Sequence, residues 1–160
     1  MWSIERIEET AKQIVESGQQ HQPMVFMIDE KNKAVYHNII PFNNDLEKEM
    51  MIKAMRKMVH VKQIKKYFTV FEGWLGTNPN IRPKRDWNRT EALIISEFNS
   101  NLERRTVILK FSRQGKKVKW GERVDIKDEE NQCNRWDFYR EDVMDESLEQ
   151  IRKKQNKKDG

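Results

Sequence analysis

One cysteine, Cys133, stands among 160 residues. It has no partner for an intramolecular disulfide, and no CxxC pair or Cys/His cluster signals a structural zinc site. Nothing local except Arg135 could activate its thiol, so it reads as inert. The apolar stretches are short, far from the ~20 residues that a membrane span requires. No charged-then-apolar leader opens the chain. The expected location is therefore cytoplasmic, the host cytoplasm if a phage encodes the protein. The phosphate-loop, dinucleotide-loop, zincin and nucleophile-elbow signatures are all missing. The three histidines, His21, His37 and His60, fall in three separate segments with no ligand spacing. No metal and no cofactor is expected.

What the chain has in abundance is charge. Lys and Arg number 31 and Asp and Glu 26, a net of +5. Residues 151–160 carry five bases and one acid, so residues 1–150 sum to only +1. Within that body the signs fall in blocks: −4 over 1–52, +8 over 53–89, −3 over 90–103, +7 over 104–123 and −7 over 124–150. Two basic blocks meeting in the fold would make a positive face for a polyanion. The plainer alternative is that the blocks neutralise one another across strands and helices. A chain of this length buries enough surface to fold without staples. Residues 1–150 read as a single α+β domain and 151–160 as a basic tail that frays.

Ile4, Ile7, Ala11, Ile14 and Val15 recur at steps of three and four, which predicts a helix over 3–17 with Ser3 as N-cap and Gly18 as stop. Met24 to Ile28 is a short apolar run bounded by turn residues, hence a buried strand, and Ala34 to Ile40 is its hairpin partner. Asn43-Asn44-Asp45 offers a cap for a second helix over 46–65. Its apolar face holds Leu46, Met50, Ala54, Met55, Met58, Val59 and Ile64, with Lys62, Lys65 and Lys66 in the last turn. That methionine stripe reads as core rather than as an adaptable binding surface. Strands follow at Tyr67–Phe71, Glu91–Phe98, Thr106–Phe111 and Val118–Ile126. A long loop spans 73–89, acidic irregular chain 127–141, and a closing helix 142–157. The order α-β-β-α-β-β-β-β-α fits one mainly antiparallel sheet with helices packed on one face.

Two segments carry candidate chemistry. Glu72 closes one strand and Glu91 opens the next, flanking a loop with Trp74, Arg82, Arg85, Asp86, Trp87 and Arg89. If the strands are neighbours, the carboxylates meet near the base of the loop, with His21 a further candidate. Paired carboxylates suit acid–base work, and Arg82 or Arg89 would hold an anion. An Arg/Glu network that pins the loop, with the tryptophans as lids on the core, needs the same residues and is the more economical explanation. The second segment is the hairpin with Lys110, Arg113, Lys116, Lys117, Lys119 and Trp120. Basic residues interleaved with aromatics can track a phosphate backbone and stack bases. Lysines also protect an edge strand from aggregation.

Short motifs recur along residues 21–98: His21-Gln22-Pro23-Met24 entering a strand, Glu72-Gly73-Trp74 ending one, then Arg82-Pro83 and Asp86-Trp87-Asn88-Arg89-Thr90-Glu91 running into a hydrophobic strand. In these the chain resembles a family of small, functionally uncharacterised bacterial and phage proteins. Gly73 stands where that family has a small alanine, and Trp87-Asn88 lengthens the acid-to-arginine spacing. The resemblance implies a fold element and a phage or bacterial source, not an activity.

The expectation is a non-catalytic accessory protein that binds a polyanion, nucleic acid or a nucleic-acid-associated protein. Lys110, Arg113, Lys116, Lys117, Lys119 and Trp120 would carry it, with Arg82, Arg85 and Arg89 as a second patch. The alternative is a small hydrolase or nuclease-like enzyme using Glu72 and Glu91 with Arg82 or Arg89. A host factor bound through the acidic 124–150 segment is a third. No membrane partner is expected, and nothing in the sequence specifies a homo-oligomer.

Overall fold

Ser3 starts the first helix because its hydroxyl accepts the Arg6 N–H at 3.2 Å, satisfying a donor that the first turn leaves free. In the computed structural model, which describes residues 2–39, 44–75, 90–128 and 137–139, this helix, α1, runs Ile4–Glu16 and buries Ile4, Ala11 and Val15. Gly18 then takes a left-handed φ of +89°, which costs a glycine nothing. Strand β1 (Met24–Asp29) and strand β2 (Ala34–Ile39) form the expected hairpin. Asp29 accepts the Lys31 and Lys33 N–H groups, each at 2.9 Å, and so shapes its turn.

Helix α2 spans Asp45–Val61, capped by the Asn44 side chain on the Glu47 N–H at 2.8 Å. It ends four residues before the expected stop. Gln63 turns left-handed at φ +50°, and Ile64 opens β3 (Ile64–Leu75) instead of completing the helix face. Pairing of Ile64 with Asp29 of β1 wins over the favourable placement of Lys65 and Lys66 at a helix end. Strands β4 (Thr90–Asn99), β5 (Arg104–Gln114) and β6 (Lys117–Asp128) complete a six-stranded sheet of order β2-β1-β3-β4-β5-β6. Every pairing is antiparallel. The α+β class and the antiparallel sheet are therefore as the sequence implies. Gly73 and Trp74, expected in the loop, are paired strand residues facing Ala92 and Glu91. Arg82, Arg85, Arg89, Cys133, the 142–157 helix and the 151–160 tail lie outside the described residues.

The helices do not share a face. Along β1 successive side chains point to opposite sides. Phe26 and Ile28 join Phe68, Val70, Leu93, Ile95, Val107, Leu109 and Phe111 under α1. Val25 and Met27 join Tyr67, Phe98 and Phe138 under α2, against Ile52, Met55 and Val59. Met24 to Ile28 reads as a continuous apolar run because both of its faces are covered, and that double covering is what moves one helix to the far side. Of the methionine stripe, Met55 is core, Met51 and Met58 are partly buried and Met50 is exposed. Tyr67 organises the α2 side. Its ring lies between Phe98 and Phe138, at 4.8 and 4.7 Å, and its hydroxyl accepts the Phe138 N–H at 2.7 Å. Tyr139 donates to the Ile64 carbonyl at 2.9 Å. Burial pushes both phenols above their ordinary range.

Candidate functional site

Pairing of β3 with β4 sets Glu72 opposite Leu93 and Trp74 opposite Glu91. Residues two apart share a face, so Glu72 and Glu91 are diagonal neighbours on the α1 side of the sheet. Phe111 of β5 lies opposite Glu91, and Arg113, two residues on, shares its face. The Arg113 Nη2 is 3.0 Å from Glu72 Oε1 and its Nε is 3.5 Å from Glu91 Oε2. The same guanidinium reaches the carbonyls of Val15 and Gln19 at 3.4 and 3.5 Å. Glu72 Oε2 accepts the His21 backbone N–H at 2.6 Å. The cluster ties β3, β4 and β5 to the end of α1 and to the chain entering β1.

The His21 ring is buried, with Nδ1 2.8 Å from the Gln22 carbonyl. Burial lowers its pKa, offset in part by the Gln22 bond and then by the charge on Glu72. The imidazole is therefore neutral at pH 7. It meets Glu72 through its main chain, not through its ring. With Arg113 spanning both carboxylates, this cluster resembles the pinning network more than an acid–base pair. The arginine that does the pinning is one the sequence had placed in the basic hairpin. Its sharing a strand face with Phe111, two residues earlier, is the available signal, although the arginines at 82, 85 and 89 are nearer to both carboxylates in sequence.

Beside the cluster is an open cleft of about 950 Å³. Gln20, Gly73, Trp74, Lys116 and Lys117 line it together with the Glu72, Glu91 and Arg113 side chains.

The basic hairpin divides into paired and unpaired charges. Lys110 Nζ is 3.4 Å from Glu122. Trp120 packs on Phe111 at 5.3 Å, donates its indole N–H to Glu16 at 2.7 Å, and carries the Lys12 ammonium 5.0 Å over its ring. Its half-buried ring faces α1. Arg105 bridges Glu5 and Asp125, both at 2.7 Å; these bonds hold its pKa up and that of Asp125 down, while Glu5 is lowered first by a backbone hydrogen bond and then by Arg105. Arg123 binds Glu8 at 2.6 Å. The acidic first block and the basic fourth block thus neutralise each other where α1 crosses β5 and β6. Lys116, Lys117 and Lys119, at the hairpin tip and on the edge strand, are exposed and make no ion pair among the described residues. Also among the described residues, no group of three or more His, Cys, Asp or Glu side chains is arranged to hold a metal ion. No helix of these residues is long and apolar enough to cross a membrane.

A family model described as bacteriophage lambda protein ea47 matches residues 3–140. No curated protein and no solved structure matches the chain.

Proposed function

The chain belongs to the bacteriophage lambda protein ea47 family, and from that footing we propose that it is a non-catalytic phage accessory protein that binds nucleic acid through the tip of the β5–β6 hairpin, in the host cytoplasm. What supports this is the contrast in charge pairing. Arg105, Arg113, Arg123 and Lys110 all face carboxylates, whereas Lys116, Lys117 and Lys119 are exposed and pair with none among the described residues. Unpaired lysines in a row attract phosphates without regard to sequence. The basic residues at 151–160 add to the same attraction. The hydrolase alternative needs a carboxylate free to act as a base, and Arg113 would have to swing away from Glu72 and Glu91 before either could serve.

Fluorescence anisotropy of the full chain against labelled single-stranded DNA, duplex DNA and RNA tests the proposal. Three phosphate contacts give a log–log salt slope of about −2 for a single strand, roughly a 20-fold loss between about 50 and about 200 mM salt. Replacing Lys116, Lys117 and Lys119 together by alanine should remove most of that slope. Binding that is unchanged in the triple variant would assign the attraction to the tail and overturn the hairpin's role.

A further inference from the structure

The two edges of the sheet differ in kind. Among the described residues, the order β2-β1-β3-β4-β5-β6 leaves β2 and β6 outermost. Seven of the twelve residues of β6 are charged, and its pairing with β5 shifts register between Leu109 and Phe111. Charges and an irregularity of that kind blunt an edge against further pairing. Strand β2, Ala34-Val35-Tyr36-His37-Asn38-Ile39, has no Lys, Arg, Asp or Glu, no proline and no glycine. Its hairpin turn fixes which backbone groups look outward. The Asp29 N–H donates to the Lys33 carbonyl at 3.0 Å, so Asp29 bonds toward the β2 side. Bonding direction alternates along an antiparallel strand. Met27 and Val25 therefore bond their opposites Tyr36 and Asn38, while Phe26 turns to Phe68 of β3. His37, opposite Phe26, aims its N–H and C=O away from the sheet, and so does Ile39. The Ile39 N–H accordingly finds a local partner, the Asn38 Oδ1 at 2.9 Å.

We infer that β2 is a self-pairing edge: two copies of this chain join antiparallel, β2 against β2, about a two-fold axis at His37. A two-fold contact needs a patch complementary to itself, and a strand without formal charge meets its own copy without like-charge repulsion. Outward groups pair only with outward groups, so the axis passes through a residue and not between two. At His37 the two copies exchange both N–H···O bonds, with Cα atoms about 5.5 Å apart. Tyr36 then lies opposite the partner's Asn38, uncharged against uncharged. The resulting sheet ends in β6 on both sides, so the charged edges stop growth at two copies. Pairing of β2 with β6 would instead set an uncharged strand against a charged one and leave a free edge at each end, a contact that does not close.

Sedimentation equilibrium of the full chain tests this. Its average mass should rise from one chain to two, and no further, between about 1 µM and about 100 µM, the range of a small interface. His37→Pro removes an outward donor that β1 does not use, a position where an edge strand tolerates proline. It should stay monomeric over the same range, with the circular dichroism of the wild type. Two further variants keep the donor and probe the axis itself. His37→Lys and His37→Glu each set like charges opposite one another across it, and each alone should weaken pairing about fivefold. Their equimolar mixture sets Lys against Glu and should restore it. A wild type that stays at one chain mass throughout would overturn the dimer. Mass that climbs past two chains would overturn the closed two-fold contact. A folded His37→Pro that still pairs, or a Lys/Glu mixture no better than its components, would overturn the β2 axis.

Discussion

Arg113 Nη2 lies 3.0 Å from Glu72 Oε1, across 41 residues of chain. The Glu72 side chain is 7% exposed and that of Arg113 is 30% exposed, so the carboxylate is the group that suffers if the pair is broken. Arg113→Ala leaves Glu72 with the His21 N–H and an uncompensated charge. Removing one partner of a fully buried pair costs ~3–5 kcal/mol. The exposure of Arg113 discounts that to about 2 kcal/mol. Urea unfolding should show the loss. Glu72→Gln in the Arg113→Ala background should recover part of it, because the buried charge is then gone. Equal midpoints for Arg113→Ala and the wild type would mean the pair contributes nothing.

Tyr67→Phe keeps the ring between Phe98 and Phe138 and deletes the acceptor of the Phe138 N–H. A buried donor left without its acceptor costs ~1–3 kcal/mol. Tyr139→Phe removes a half-buried donor to the Ile64 carbonyl, and should cost about 1 kcal/mol or less. Thermal denaturation should therefore rank Tyr67→Phe below Tyr139→Phe. The reverse order would show that Phe138 docks through its side chain alone.

Those aromatic pairings show where the sequence is legible and where it is not. The elements follow from periodicity: Ile4, Ala11 and Val15 mark α1, and the apolar runs at Met24–Ile28 and Ala92–Ile95 mark strands that become β1 and β4. Boundaries set by competition were less visible. Ile64 suits a helix face by spacing, yet pairing with β1 takes it. Which face a helix covers is a tertiary choice, and a strand apolar on both sides, such as β1, gives the only local sign that both faces are occupied. At the site, the neighbourhood of Glu72 and Glu91 follows from two strands flanking one loop. Their bridging by Arg113 depends on the β4–β5 register, which no local pattern fixes. Trp120 looked like a stacking residue because composition does not say that Glu16 of a distant helix meets its indole.

Leu102 adopts φ +64° in the turn between β4 and β5 and is exposed. A left-handed backbone costs an L-residue about 1–2 kcal/mol. Asn99 holds the turn through its side chain, which accepts the Asn101 and Glu103 N–H groups at 3.0 and 3.1 Å, so the conformation does not depend on leucine. Leu102→Gly should raise stability by about 0.5–1 kcal/mol, the relief of strain less the added entropy of the unfolded chain. Chemical denaturation of the variant measures it, and a lower midpoint would show that the leucine side chain contributes packing worth more than the strain.

His21 makes stability depend on pH in a window above that of the carboxylates. Burial holds its folded-state pKa below the ordinary 6.5. As pH falls through about 6.5 the unfolded chain takes up a proton that the folded chain still refuses, so the unfolded state gains. The contribution of the neutral, buried ring is thus fully present above about pH 7 and declines as pH drops toward the folded-state value, by at most about 1.4 kcal/mol per pH unit. Unfolding free energies between about pH 7.5 and 5 should slope downward for the wild type. His21→Asn keeps a donor that can reach the Gln22 carbonyl and carries no proton of its own. It should flatten the slope, whatever its stability at pH 7.5. Glu5, lowered by a backbone hydrogen bond and then by Arg105, and Asp125, lowered by its bond to Arg105, add their own loss only as pH falls toward about 4. A slope that persists unchanged in His21→Asn would place the proton uptake elsewhere and show that burial does not shift the imidazole.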